Sequence, residues 1–520
     1  MTVTAAAAGA EQRPYLEKIA RGGAFNLAGS VVSAIATFAF AVLVTRGTTQ
    51  EQAGAFFALT SVFVIVVAVS RLGVPMGLVY FLARHRTTGD QHLIRALVRQ
   101  AAVVVGSLAL ALGLVGVVAA GPLADALVGT REGGTVALVR VLSACLVFAA
   151  LTDVGIGATR GLGLMRPLVV VDRVARPLAQ VLLALAVVLA GVHSALGLGL
   201  AWVLPWVPSA AVVLLWARRL RQGAERRSGN TARGGLEPGQ FAAFWRFTAP
   251  RSVSSIAQLA LQRSDIVLIG VLRGPRDAAV YTAATRFLVF GQLGANAIST
   301  TIQPKLAQLM AKEDADGARA VYRVATVWLV LMSWPIYLLS AVFAQDLLTV
   351  FGSGYRTGSV VIVVLSLVML VATASGAVDV VLAMAGRASW TMANSLGALA
   401  VNVVLNLLLI PSLGILGAAL AWAAAIAVNN LTPLVQMALS LRLHPFGRSL
   451  ALATAAAAVC FGVLPLGVRL LFGDSLVVAV LAAAVGAVEY AGLLWYWREH
   501  FELPSLEAVL RRGKGSAAAS

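Results

Sequence analysis

The chain contains 520 residues, of which 59% are hydrophobic and only 12% are charged, and its mean hydropathy is +0.88. Soluble proteins have about 45–50% apolar and about 25% charged residues, and their cores stop growing well below this length. The composition excludes a soluble fold and predicts a polytopic membrane protein. The formal net charge of +18 does not indicate nucleic acid, because most basic residues lie in short loops between apolar runs. We expect no nucleic-acid partner.

Apolar runs long enough to cross a bilayer follow one another along the chain. A spanning helix needs about 20 apolar residues, since each residue adds about 1.5 Å to its length. We find no cleavable signal peptide and expect the first run to remain as a span. We predict an all-α protein with about fourteen spans, at residues 22–45, 53–83, 97–120, 134–160, 168–191, 194–217, 244–270, 278–303, 322–345, 359–385, 389–410, 414–441, 447–471 and 475–497.

The distribution of Lys and Arg predicts the orientation. With the N-terminus placed inside, 27 of the 40 basic residues fall in inside loops, 6 fall in outside loops and 7 fall within spans. Cytoplasmic loops of membrane proteins carry the excess of positive charge. We therefore expect a multi-pass membrane protein with both termini in the cytoplasm.

An internal repeat relates the first six spans to the next six. A shift of 225 residues places the loop 87–99 on 312–324 without a gap. Because six is an even number, both copies enter from the same side and form parallel repeats. We predict an N-lobe at 1–217, a cytoplasmic linker at 218–243, a C-lobe at 244–441, and spans 13 and 14 with a tail at 442–520.

Polar residues form stripes on equivalent spans of the two copies. At 100° per residue, the stripe on span 7 covers about 80° of one helix face. Polar groups are costly in hydrocarbon, so the stripes face either other helices or a water-filled cavity. Their coincidence in both repeats favours the cavity. The stripe residues are Arg251, Ser255, Gln258, Gln262 and Asp265 on span 7, Asn26, Ser30, Ser33 and Thr37 on span 1, and Thr285, Gln292, Asn296, Ser299 and Gln303 on span 8.

Seven arginines but only five acidic residues lie within the spans. Arg71 lies near mid-membrane, where snorkelling explains it poorly. Because the arginine fork matches phosphate geometry, the positive surplus predicts an anionic ligand. Asp265 and Asp379 are candidate coupling sites. The predicted cavity residues are Arg71, Arg251, Ser255, Gln258, Gln262, Arg263, Arg286, Asn26 and Asn296.

Signatures of enzymes and cofactors are missing from the sequence. No GxxxxGK[ST] phosphate loop, HExxH motif or Cys/His cluster occurs, so we expect no metal, no cofactor and no ATPase. A membrane-embedded glycosyltransferase or polymerase would need an outward-facing catalytic carboxylate, and the first outside loop offers only Glu51. An enzyme is therefore the less favoured function.

A pair of similar six-span bundles followed by two further spans resembles the polysaccharide and oligosaccharide flippases. These belong to the multidrug/oligosaccharidyl-lipid/polysaccharide (MOP, MATE-like) superfamily, which also holds lipid II flippases and MATE drug antiporters. The resemblance covers roughly residues 15–497. The motifs that carry it are Gly22-Gly23-Ala24-Phe25-Asn26-Leu27, Gly54-Ala55-Phe56-Phe57-Ala58-Leu59, Arg263-Ser264-Asp265-Ile266-Val267-Leu268-Ile269-Gly270 and Val280-Tyr281-Thr282-Ala283-Ala284.

The resemblance implies a V-shaped pair of lobes around a cavity lined by spans 1, 2, 7 and 8. It also implies alternating access that moves an undecaprenyl-diphosphate-linked oligosaccharide from the inner to the outer leaflet. The expected partners are this lipid, the bilayer and polysaccharide polymerase machinery. The alternatives are a lipid II flippase and a cation-coupled multidrug exporter, although an exporter of cations would need acidic residues where this chain has Arg.

Overall fold

The computed structural model describes residues 2–88, 91–228, 238–498 and 500–501, and these residues contain helices and no strand. The prediction of an all-α fold is confirmed. The first half contains α1 (Thr2–Gly47), α2 (Gln50–Ser70), α3 (Val74–Thr88), α4 (Gln91–Val118), α5 (Ala120–Val128), α6 (Gly133–Gly161), a π-helical segment (Leu168–Ala175), α7 (Arg176–Leu189), α8 (Ala195–Val203) and α9 (Trp206–Ser228).

The second half and the C-terminal region are built from twelve further helices. The second half contains α10 (Pro238–Arg273), α11 (Pro275–Thr285), α12 (Leu288–Ala311), α13 (Ala315–Val342), α14 (Ala344–Leu348), a 3₁₀ turn (Ser353–Gly358), α15 (Ser359–Ala374), α16 (Val378–Met384), α17 (Ala388–Leu413) and α18 (Ile415–Ser440). The C-terminal region contains α19 (Arg448–Ala458), a π-helical segment (Val459–Val463), α20 (Leu464–Phe472) and α21 (Leu476–Tyr496).

Twelve helical stretches in the described residues are long and apolar enough to cross a membrane. The two remaining predicted spans, 168–191 and 278–303, are helical but interrupted. The first begins with the π-helical segment, which carries Asp172 and Arg173, and the second is divided between α11 and α12 at Arg286 and Phe287. A multi-pass membrane protein is confirmed, and the count of fourteen stays a prediction.

Helices lie on both sides of the predicted linker between the lobes. Helix α9 continues to Ser228 and α10 begins at Pro238, so both helices extend into the predicted linker at 218–243. The linker's centre, residues 229–237, lies outside the described residues, as does most of the predicted tail. The division into lobes stays a prediction.

The helix connections lie on two sides of the bundle. We call the side with the α3–α4, α12–α13 and α18–α19 connections proximal, and the side with the α1–α2, α10–α11 and α13–α14 connections distal. On the proximal side Arg319 donates to the carbonyl of Arg442 at 3.4 Å. On the distal side Arg46 donates to the carbonyl of Val350 at 2.9 Å, and Arg276 donates to Gln50 at 2.9 Å.

The two halves meet tightly at the distal side. Phe38 of α1 contacts Phe287 and Phe351, with ring centroids 5.3 Å apart in both pairs. A Cβ at Gly54 of α2 would lie only 1.6 Å from the carbonyl oxygen of Pro275 at the start of α11, so glycine is required for this approach. The distal contact is therefore dry, aromatic and close enough to bring backbones together.

A sharp turn interrupts the second span at Arg71. Leu72 and Gly73 both have positive φ, at 47° and 67°, and α3 then begins at Val74. Side chains of α10 lie against this turn, because a Cβ at Gly73 would be 3.0 Å from Cβ of Ser252. Further toward the proximal side, Tyr80 of α3 stacks on Phe247 of α10 with centroids 4.3 Å apart. The turn thus ends the distal helix α2 and directs α3 along the proximal half of α10.

Candidate functional site: a polar cavity between the two halves

The predicted polar stripe of α10 changes from exposed to buried along the helix. Arg251, Gln258 and Gln262 are exposed, whereas Asp265 and Ile269 on the same face are 2% and 0% exposed. Glutamine side chains at membrane depth need water or a polar partner. Their exposure therefore indicates a water-filled space that opens toward the proximal side and ends where the distal contact begins.

The equivalent stripe of α1 follows the same course. Asn26, Ser30 and Ser33 are half-buried and Thr37 is exposed. Phe40 and Val44, which continue this face toward the distal side, are 6% and 0% exposed. The two stripes thus become inaccessible at corresponding levels, as expected for opposite walls of one cavity.

Arg263 and Arg286 lie at the same depth near the end of this space. Arg263 is ten residues from the distal end of α10, and Arg286 follows α11, which begins at Pro275. At about 1.5 Å per residue both lie about 15–16 Å from the distal side, or about half of a 30 Å hydrocarbon core. The helices that carry them, α10 and α11, pack against each other and against α2 of the first half.

Within the described residues neither of these arginines forms an ion pair with an acidic side chain. Arg286 faces the ring of Phe57 of α2 at 5.9 Å, and its Nε atom is buried without a hydrogen-bond partner. Two cations at mid-depth, without acidic partners among the described residues, are an arrangement that an anion would stabilise.

Arg71 differs from these two arginines because it has an acidic partner. Its Nη1 atom lies 3.0 Å from Oδ2 of Asp153 on α6, and the two side chains are 29% and 22% exposed. Asp172 and Arg176, which lie 2.7 Å apart, also interact electrostatically with Asp153. Arg71 is thus part of a charged network inside the first half, and its side chain is still partly exposed.

The remaining predicted residues differ in their contacts. Arg251 donates to the carbonyl of Phe247 at 2.9 Å and lies 3.8 Å over its ring. Ser255 donates to the carbonyl of Ser252. Asn26 accepts through its backbone carbonyl from Ser30 and Arg173. Asn296 is exposed on α12.

The structure places Asp265 inside the second half and not on the open cavity face. Its Oδ2 atom accepts from Tyr281 of α11 and its Oδ1 atom accepts from Asn406 of α17, both at 2.8 Å. Asn402 accepts from Ser264 at 2.9 Å. The buried end of the stripe therefore joins α10 to α11 and α17 through hydrogen bonds.

Asp379 lies at the start of α16, directly after the interruption at Gly376. It is half-buried, and its Oδ1 atom is buried without a hydrogen-bond partner. No group of three or more His, Cys, Asp or Glu residues that could hold a metal ion occurs in the described residues.

Sequence reasoning missed Asp153, Asn402 and Asn406 as site residues. Asp153 was recognisable as an acid within a span, which needs a cation nearby. Asn402 and Asn406 are four residues apart, so they share one face of their helix. Their partners could not be identified, since no sequence pattern predicts which helices become neighbours.

Comparison with known proteins agrees with this architecture. Residues 19–310, more than half of the chain, match the model of a family described as polysaccharide biosynthesis protein. The chain belongs to this family. Residues 250–408 also match the MatE family. The predicted membership of the MOP superfamily is confirmed, and the relatives indicate a transporter and not an enzyme.

A curated relative is the probable low-salt glycan biosynthesis flippase Agl15 of Haloferax volcanii. It is 26% identical over 179 residues, or 34% of this chain. This chain spans 38% of the length of that relative.

Several solved structures share the fold. The lipid II flippase MurJ in an inward closed conformation has a TM-score of 0.70 at 11% identity and covers 91% of this chain and 98% of its own. An inward-facing MATE family transporter has a TM-score of 0.65 at 15% identity, covering 79% and 96%. A MOP superfamily transporter from Pyrococcus furiosus has a TM-score of 0.56 at 16% identity, covering 82% and 96%. At these identities the likeness concerns the fold alone.

Single cysteines should report the shape of the cavity. In a background without Cys145 and Cys460, we expect cysteines at Gln258 and Gln262 to react with a charged, membrane-impermeant thiol reagent. A cysteine at Ile269, on the same face but buried, should react at least about 10-fold more slowly, since thiol chemistry requires the thiolate and access. The rates are measured by mass shift.

The matched control is a cysteine at Val253, which is 44% exposed on the opposite face of α10 and should lie in lipid. Labelling of Val253 as fast as Gln258 would mean that exposure on α10 does not mark an aqueous cavity.

The Arg71–Asp153 pair allows binding and structural roles to be separated. Arg71→Gln should reduce the amount of inserted protein, because loss of one partner of a partly buried pair leaves an uncompensated charge and costs about 3–5 kcal/mol when the pair is fully buried. The double variant Arg71→Gln with Asp153→Asn should recover abundance. If Arg71 binds an anionic ligand, transport should stay lost in the double variant. Recovery of both quantities would make the pair purely structural.

Proposed function

We propose that the protein is a flippase that moves an undecaprenyl-diphosphate-linked oligosaccharide from the inner to the outer leaflet of the bacterial plasma membrane. The transported lipid would serve cell-surface polysaccharide biosynthesis, and the mechanism would be alternating access. The observation that carries the proposal is that Arg263 and Arg286, at the same depth on helices that contact both halves, have no acidic partner among the described residues. A diphosphate offers the charge and the bidentate oxygens that such a pair prefers.

The geometry supports the direction of transport. The α1 and α10 stripes are exposed in their proximal part and buried toward the distal aromatic contact, which supports a cavity open to the proximal side. The excess of Lys and Arg in the proximal loops favours a cytoplasmic location for this side. The present conformation would then receive its substrate from the inner leaflet, with both termini cytoplasmic.

Two alternatives remain within transport. A lipid II flippase would bind the same diphosphate, so Arg263 and Arg286 do not distinguish the two substrates. A cation-coupled exporter of drugs is less compatible, because the unpaired charges at the end of the cavity are positive. Polysaccharide polymerase machinery would be a partner that receives the flipped lipid on the outer side.

The decisive experiment measures flipping of both lipids in proteoliposomes. We expect the lipid-linked oligosaccharide to be translocated, and Arg263→Ala and Arg286→Ala each to lower the rate at least about 10-fold, since a charge-assisted contact contributes about 1.5–3 kcal/mol. Lysine at either position should recover only part of the rate, because it lacks the planar guanidinium group that can bind phosphate through two N–H donors. Arg131→Ala, which removes an exposed distal arginine paired with Asp125 of its own half, is the matched control. Faster transport of lipid II would assign the alternative substrate.

Membrane potential should drive part of the cycle. The diphosphate carries about two negative charges, and each charge changes energy by about 2.3 kcal/mol per 100 mV. With the inside negative, outward movement of the anion is favourable, and the empty arginine-lined cavity is drawn inward. Flipping should therefore accelerate when a potential is imposed without an ion gradient. A flipping rate that does not change with the imposed potential would contradict this prediction.

Asp265 and Asp379 are the proposed coupling residues if an ion gradient also contributes. Asp265 joins α10, α11 and α17, so a change of its charge would act on three helices of the second half. Asp379 has a buried oxygen that could accept a proton or another donor. The proteoliposome assay with a proton gradient and no potential tests both, through Asp265→Asn and Asp379→Asn.

A further inference from the structure

A cleft of about 290 Å³ lies on the proximal side, away from the central cavity. It is formed by α13, the connection between α18 and α19, and the segment that follows α21. This segment is fixed in place, because Trp328 of α13 donates to the carbonyl of Phe501 at 3.1 Å and Phe501 is 1% exposed. We call this space the C-terminal cleft.

The walls of the C-terminal cleft are basic. Arg323, Arg448 and His500 line it, and none of its lining residues in the described chain is acidic. Arg323 lies 3.4 Å from His444, which is not an acid, and its Nε atom is buried without a partner. Arg319, one turn earlier, is by contrast 2.6 Å from Asp316. Among the residues that the structure describes, the two arginines of the cleft therefore have no acidic partner.

Helix α19 begins in the same wall. Gly447, Arg448, Ser449 and Leu450 line the cleft, and no side chain caps this helix start. The first backbone N–H groups of an 11-residue helix thus add donors and partial positive charge to those of the arginines. An anion in the cleft would meet both kinds of donor.

The position and lining of the cleft match the membrane boundary. Helix α13 has 28 residues, or about 42 Å, which exceeds the hydrocarbon core by about 12 Å. Arg323 lies about 12 Å from the start of this helix, at the level where headgroups meet hydrocarbon. Below the arginines the wall is apolar, with Val324, Val327 and Leu450.

Aromatic side chains mark the same level beside the cleft. Trp495 and Tyr496 at the end of α21 are 71% and 77% exposed, as is typical of residues that lie at a membrane interface. The arginines at the entrance of the cleft suit the phosphate of a lipid, and the apolar wall below them suits its acyl chains. A free phosphate has no apolar part and would leave this wall without a partner.

We propose that the C-terminal cleft binds the phosphate headgroup of an anionic phospholipid from the proximal leaflet. Arg323, Arg448 and the start of α19 hold the phosphate, and the acyl chains run along the apolar wall of α13 and α19. This site is separate from the central cavity, and it requires no transport for its detection.

Binding is measured on the full chain in detergent by native mass spectrometry, with titrations of dioleoyl phosphatidylglycerol and of dioleoyl phosphatidylcholine. We expect one preferred phosphatidylglycerol per chain. Arg323→Gln with Arg448→Gln should weaken its binding about 30-fold, as expected for loss of two basic contacts at a membrane surface. The double lysine variant at the same positions should retain most of the binding, which also shows that these positions tolerate substitution.

The matched control is Arg442→Gln with Arg498→Gln, which removes the same charge from the same side without altering the cleft. It should change binding less than about 2-fold. Equal losses in both double variants would overturn the proposal, since only unspecific charge would then attract the lipid. Equal binding of phosphatidylcholine would overturn it as well. Displacement of the lipid by inorganic phosphate at equal concentration would assign the site to a soluble anion.

Discussion

The aromatic contact of Phe38 with Phe287 and Phe351 is the interaction on which the rest of this conformation depends. It joins α1 to the second half at the distal side, where burial of large aromatic surfaces is strongly favourable. The polar residues of α1 and α10 that remain exposed lie on the proximal side of this contact. Arg263 and Arg286 lie near the depth at which these polar faces become buried.

Charge is distributed differently in the two halves. In the first half, Arg71 pairs with Asp153, Arg176 pairs with Asp172, and Arg173 donates to Ser30. In the second half, Arg263 and Arg286 have no such partner among the described residues. Charges in hydrocarbon are normally paired, so an unpaired couple that persists is a feature of ligand sites more than of structural ones.

Much of the architecture could be predicted, because hydrophobic length and helical periodicity are local properties of the chain. The polar faces of α1 and α10 follow from 100° steps alone. The interruption at Leu72 carries a local signal, because Gly73 favours a positive φ and Pro75 suits the first turn of a new helix. The interruption at Arg286 could not be predicted, since no glycine or proline lies beside it. The burial of Asp265 could not be predicted from the sequence. It depends on Tyr281 and Asn406, which lie on other helices that only the fold brings together.

The turn at Leu72 and Gly73 has a consequence for conformational change. A continuous helix that bends near the edge of the hydrocarbon core must break backbone hydrogen bonds that the bilayer interior cannot replace, which is costly. Here that break already exists, and local bonds such as Val74 to the carbonyl of Arg71 at 2.8 Å replace those that were lost. α2 can therefore separate from α11 while α3 keeps its place on α10. The second span would then move as two separate rigid helices that meet at this turn, and not as one continuous helix.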